Sequence, residues 1–147
     1  MTNRKQNIGK PIGVAIAGLG FGESVHIPAL KSNPLFKPLA LWHPRKERLL
    51  ECSKSNQIEF KEDWESILLE KTIEAVIIAT PPEPRFKLAL EALAAGKHLL
   101  LEKPAALNAA EVKELQKVAL QNGLSVAVNF EYRAVPLFMQ AKKIIEE

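Results

Sequence analysis

Three glycines within five residues, Gly18-Leu19-Gly20-Phe21-Gly22, follow an apolar run and precede a segment able to start a helix. In that setting a backbone can bind phosphate. The first glycine permits a tight turn and the second lets the chain approach a pyrophosphate. The N–H groups of the following helix start then offer about half a positive charge. The G-x-G-x-x-G fingerprint is imperfect here, because Glu23 fills its third glycine slot and Gly22 stands one place early. A carboxylate facing a phosphate would repel it, so Glu23 is expected to point to solvent. The spelling fits both dinucleotides and S-adenosylmethionine, and a bare strand-to-helix turn is the third alternative.

Both ligand classes usually want an acid at the end of the second strand to grip ribose hydroxyls. That place holds His43-Pro44-Arg45-Lys46 instead. An aspartate there would repel a 2′-phosphate, whereas Arg45 and Lys46 can pair with one. The reading therefore favours NADP(H) over NAD(H), and disfavours a methyltransferase. His43 is placed either beside the adenine or on an exposed loop.

The elements that must position these residues alternate between strand and helix. Ile12–Leu19 and Ala75–Ala79 are continuous apolar runs, the mark of parallel strands buried on both faces. Further strands are expected at Leu39–Trp42, Ile58–Phe60, His98–Leu101 and Val126–Phe130. Helices are expected from Ser24 to Lys31 with Pro28 in the first turn, from Pro44 to Lys54, and around Trp64–Leu69. The next runs from Arg85 to Ala95, with Phe86, Leu90 and Leu93 on its apolar face and Gly96 at its end. Asn108 reads as the N-cap of another, with Glu111 completing a box-like start and Gly123 closing it. Pro136 opens a last helix. Alternation of this kind demands an α/β fold, a doubly wound parallel sheet of about six strands with helices on both faces.

The 147 residues suit one domain, with residues 1–11 as a flexible leader. A chain of this size buries roughly 70% of its unfolded surface. Net charge is +3, with lysine and arginine interspersed among glutamates, so no nucleic-acid stripe is expected. Cys52 is the only cysteine and permits neither an internal disulfide nor a zinc pair; a partly buried, inert thiol is expected. Met1–Gly9 lacks the apolar core of a signal peptide, and no apolar run reaches the ~18 residues needed to span a bilayer. The expected compartment is the cytoplasm.

The stretch Gly18-Leu19-Gly20-Phe21-Gly22-Glu23-Ser24-Val25-His26-Ile27-Pro28-Ala29-Leu30 resembles the opening of the Gfo/Idh/MocA oxidoreductase family. Ala79-Thr80-Pro81-Pro82 resembles that family's loop beside the cofactor. More specific is the run from Ala94 through Gly96-Lys97-His98 to Glu102-Lys103-Pro104, close to the signature AGKHVLxEKP. Asn129 to Arg133 resembles the segment before the family's second domain.

The resemblance implies a Rossmann domain that holds a dinucleotide through the glycine loop, Thr80, Pro81, Asn129 and Arg133. It places Lys103 near the nicotinamide and the substrate hydroxyl. There Lys103 can hydrogen-bond the reacting oxygen or move its proton as hydride passes to the nicotinamide. Glu102 would neighbour the nicotinamide ribose, and Pro104 would carry a cis bond. Arg85 stands where many relatives have histidine, so that contact is altered. His26 is a helix-start residue without a catalytic role, and Trp42 and Trp64 pack at the core or its rim. Relatives continue into a second α/β domain that supplies most substrate contacts and the oligomer interface, and this chain is expected to lack it. Two functions stay open. One is the cofactor half of an oxidoreductase acting on a sugar, polyol or related carbonyl. The other is a non-catalytic nucleotide-binding or partner-binding module.

Overall fold

Six strands alternate with helices along residues 9–146, the part of the chain that the computed structural model describes. The expected leader therefore lies largely outside the described residues. The strands are β1 (Ile12–Ala17), β2 (Phe36–Trp42), β3 (Glu59–Phe60), β4 (Ala75–Ile78), β5 (His98–Glu102) and β6 (Val126–Asn129). The helices are α1 (Ile27–Ser32), α2 (Lys46–Asn56), α3 (Trp64–Leu69), α4 (Pro82–Ala94), α5 (Ala109–Gln121) and α6 (Pro136–Glu146). Every neighbouring pair of strands is parallel, in the order β3-β2-β1-β4-β5-β6. This is the expected doubly wound sheet. The order reverses between β1 and β4, so the loops leaving them diverge and open a crevice at the strand ends.

The apolar runs fix the centre. On one face Val14, Ile16, Leu41 and Ile77 pack against Ile27 and Leu30 of α1 and Leu49 and Cys52 of α2. On the other, Ala15, Ala17, Val76, Ile78, Leu99 and Leu101 meet Ile67 of α3, Leu88 and Leu93 of α4 and Leu115 of α5. Each fully buried leucine or isoleucine contributes about 1.5–3 kcal/mol.

Several boundaries differ from expectation for identifiable reasons. Strand β2 begins at Phe36 rather than Leu39, because the register shifts opposite Pro38 and spares the ladder a missing N–H. Strand β1 stops at Ala17, where Gly18 turns the chain at φ +94°. Helix α2 starts at Lys46 and runs to Asn56, ended by Gln57 in the left-handed region (φ 55°). Helix α4 starts at Pro82, since a proline is tolerated in a first turn. Its buried residues are Arg85, Leu88, Ala89, Ala92 and Leu93, and Phe86 and Leu90 flank them. At α5 the expected cap forms: Asn108 Oδ1 accepts from the Glu111 N–H at 3.0 Å, and Glu111 Oε2 accepts from the Leu107 N–H at 2.9 Å.

Two apolar surfaces stay uncovered among the described residues. Helix α6 buries no residue and exposes Leu137, Phe138, Met139, Ile144 and Ile145. Beyond α1, a cavity of about 500 Å³ is lined by Leu30, Phe36, Ile77, Leu100 and Ala127 among others. No described helix is long and apolar enough to cross a membrane.

Candidate functional site

Gly18 ends β1 in a conformation that L side chains rarely adopt, and a Cβ there would lie 2.5 Å from the carbonyl carbon of Ala79. The loop after β1 is thus pressed directly onto the loop after β4. Gly22 has a packing reason as well, since its Cβ would meet the Ile16 side chain at 2.9 Å. Gly20 is different. Its φ is not positive, it is exposed, and nothing lies within 4 Å of the place its Cβ would take. The protein itself does not need a glycine at that position, whereas a close-approaching ligand does.

Beside Gly20 opens a cavity of about 520 Å³, within the usual size of a cofactor pocket. Its wall brings together Gly18, Leu19 and Gly20 of the first loop, His43 and Arg45 beyond β2, and Thr80 and Pro81 beyond β4. The Thr80 hydroxyl is buried with no hydrogen-bond partner. A buried polar atom left unpaired is costly, and a ligand polar group would relieve it. The helical turn Gly22–His26 that follows the glycines has no side-chain cap at its start, although its Ser24 N–H already donates to the Gly20 carbonyl at 3.3 Å. These features fit a nucleotide with a pyrophosphate.

The basic corner is more selective than its sequence. The Arg45 N–H donates to His43 Nδ1 at 3.0 Å, which ties the turn and requires that nitrogen to be unprotonated. Burial, aided by the charges of Arg45 and Arg48, holds His43 below its usual range, so a neutral ring faces the cavity. Lys46 stands apart, paired with Glu62 at 2.7 Å. Trp42, expected only as packing, also lines the cavity, and its ring lies 5.3 Å from that of Trp64.

Glu23 does not point to solvent. Arg48 donates to its Oε2 and Asn56 to its Oε1, so its charge is drawn toward α2. This removes the repulsion that the sequence raised against a phosphate. Cys52 beneath it is fully buried rather than partly so, and burial, with Glu23 nearby, pushes its thiol up to about 11.

A second cluster forms at the end of β5. Glu102 is buried, and its Oε1 accepts from His26 Nε2 and from Asn129 Nδ2, each at 2.7 Å. Phe21 and His26 pack in a T-shaped arrangement with centroids 5.6 Å apart. Phe21 therefore serves the cluster and does not line the glycine-loop cavity. Lys103 is exposed and its ammonium lies 3.4 Å from Glu131. Lys103 and Arg133 line one small pocket, and the Lys103–Pro104 bond is cis. Sequence reasoning missed His26 as a partner of Glu102. Its one signal was its place, four residues beyond Gly22 on the turn leaving the loop.

Lys97, in the AGKH stretch, has a structural task. It is buried and donates to the carbonyls of Glu70 and Ile73 at 2.8 Å each, and burial pushes its ammonium down. Arg85 was expected only as an altered contact, yet it too is buried. It donates to the carbonyl oxygens of Thr80, Glu102 and Pro104.

The model of the oxidoreductase family with an NAD-binding Rossmann fold matches residues 12–130. The chain belongs to that family and is its NAD-binding domain. It is 37% identical over 133 residues to an uncharacterized oxidoreductase of Synechocystis, covering 90% of this chain and 36% of that protein. A levoglucosan dehydrogenase of Pseudarthrobacter phenanthrenivorans is 31% identical, with coverages of 92% and 37%. The solved structure of KijD10, a 3-ketoreductase from Actinomadura kijaniata in complex with NADP and TDP-benzene, superposes with TM-score 0.87 at 27% identity. That match covers 92% of this chain and 42% of KijD10. The chain thus spans well under half the length of these relatives.

Proposed function

We propose that this chain is the cofactor half of an oxidoreductase that moves hydride between NADP(H) and a sugar, polyol or related carbonyl. The observation that carries the reading is Gly20, a glycine for which the fold itself has no use, set in a cavity with an unpartnered Thr80 hydroxyl. The bound cofactor would supply or accept the hydride. The chain's residues then divide the remaining work. Gly18, Leu19, Gly20 and Gly22 admit the pyrophosphate, Thr80 and Pro81 wall the cavity, and His43 packs beside the adenine. Asn129 holds Glu102, and Arg133 stands next to Lys103. Lys103 is the group that meets the reacting oxygen and holds or moves its proton. Lys103 follows β5 at the carboxyl end of the sheet, the end at which the glycine loop also lies, and its side chain is exposed, which supports this role.

The sugar-like substrate class rests on the relatives, one named as a levoglucosan dehydrogenase and one as a 3-ketoreductase. A second domain, continuous with α6 or from another chain, would complete the substrate wall. The uncovered apolar face of α6 supports this. Without that wall positioning is lost, and positioning is worth about 7–11 kcal/mol in favourable cases. The other reading, a nucleotide-binding module without catalysis, is favoured by the same uncovered face, which fits a partner chain equally well.

NADP(H) is preferred over NAD(H) because no acid follows β2 and Arg45 lines the cavity. Titration with NADPH and NADH, followed by energy transfer from Trp42 to the nicotinamide, tests both points. NADPH is expected to bind at least tenfold more tightly, about 1.4 kcal/mol. Arg45→Ala is expected to remove most of that difference while leaving NADH affinity unchanged, and the NADPH preference should shrink as salt rises. Equal losses for both cofactors would refute the role of Arg45.

A further inference from the structure

Lys103 sits on an exposed turn, and an exposed lysine has no fixed place by itself. Its backbone, however, is bracketed. The carbonyls of Glu102 and Pro104, on either side of Lys103, both accept from Nη1 of Arg85, while Nη2 donates to the carbonyl of Thr80. Arg85 is 3% exposed, and no carboxylate oxygen within 4 Å pairs with it among the described residues. The carbonyls it binds come from the loop after β4, from the last residue of β5 and from the turn that follows it. A guanidinium is suited to this, because its planar fork holds several acceptors in one geometry and stays charged when buried. Elsewhere on α4, Leu88, Ala89, Ala92 and Leu93 bury ordinary apolar side chains, so a cation in that row is not a packing choice.

We propose that Arg85 is the positioning residue of the nicotinamide end of the site, fixing the turn that presents Lys103 relative to the Thr80 loop. The proposal rests on the reading of Lys103 as the group at the nicotinamide. Arg85 touches neither cofactor nor substrate. It acts through the Lys103 turn, whereas His43 and Arg45, which hold the adenine end, lie beyond β2 and share no hydrogen bond with it.

The test compares NADPH with 2′,5′-ADP, which lacks the nicotinamide half, on the full chain. Arg85→Lys keeps the charge but cannot span three carbonyls. It is expected to weaken NADPH about tenfold and leave 2′,5′-ADP within a factor of two. Arg85→Gln, neutral but still a donor, should do the same and covers the case in which the lysine variant folds poorly. Lys103→Ala should also weaken NADPH, and Arg85→Lys added to it should cost nothing further. Parallel loss of both ligands in Arg85→Lys and Arg85→Gln would reduce Arg85 to a general structural role and overturn the proposal. Undiminished loss on the Lys103→Ala background would overturn the route through Lys103 alone. An unchanged NADPH affinity in Lys103→Ala would instead strike at the site reading on which the proposal stands.

Discussion

Gly20→Val is expected to lower NADPH affinity at least a hundredfold, about 2.7 kcal/mol, while the chain keeps its fold. The two halves of that expectation come from different observations. Space around the missing Cβ is empty of protein atoms to 4 Å and φ is not positive, so the fold meets neither clash nor strain. A valine in an exposed loop position typically changes stability by no more than about 0.5 kcal/mol. Gly20 lines the glycine-loop cavity, and two methyl groups there would hold a pyrophosphate away from the loop backbone. Thermal unfolding checks the first half, and titration followed by nicotinamide fluorescence checks the second. Unchanged affinity in a folded variant would mean that the cofactor does not pass over Gly20, and the placement of the whole site would fail.

What the sequence made legible was whatever obeys a period or a fixed turn. The apolar runs of β1 and β4 cannot be exposed, the alternation of strand and helix admits few topologies, and Asn108 with Glu111 can do little else than cap. Positions that break the statistical rule for their residue type stayed hidden. Arg85 counts as a surface residue in any periodic reading, so apolar spacing points to Phe86, Leu90 and Leu93 as the buried face of α4. The face is in fact defined by Arg85, Leu88, Ala89, Ala92 and Leu93. His26 and Glu102 lie 76 residues apart, and only the β1–β4–β5 neighbourhood brings them to 2.7 Å. Strand β2 begins at Phe36 rather than at the expected Leu39, because the register shift beside Pro38 cannot be read from one chain. Gly13, inside an apolar run, gave no sign that its missing Cβ lets the Thr72 carbonyl approach to 2.0 Å of that place.

Gly18 gives the opposite prediction from Gly20, although the two glycines sit two residues apart in one motif. Gly18→Ala is expected to destabilise the chain by about 3–5 kcal/mol, through a strained backbone and an overfilled contact together. Its φ of +94° lies where an alanine is strained, and the new methyl would come within 2.6 Å of the Ala79 carbonyl oxygen and the Thr80 nitrogen. Neither neighbour can move freely. The Ala79 N–H is bonded to the Ala17 carbonyl at 2.7 Å, and Thr80 is held through its carbonyl by Arg85. A native domain is stable by only about 5–15 kcal/mol, so the loss would be a large share of the total. Denaturant unfolding followed by Trp42 and Trp64 emission measures it as a lower midpoint with an unchanged slope. A Gly18→Ala chain as stable as its parent would show that the two loops are not in contact as described. A Gly18→Ala chain that unfolds early, beside a Gly20→Val chain that folds and does not bind, would separate the glycine that builds the crevice from the one that leaves room for its ligand.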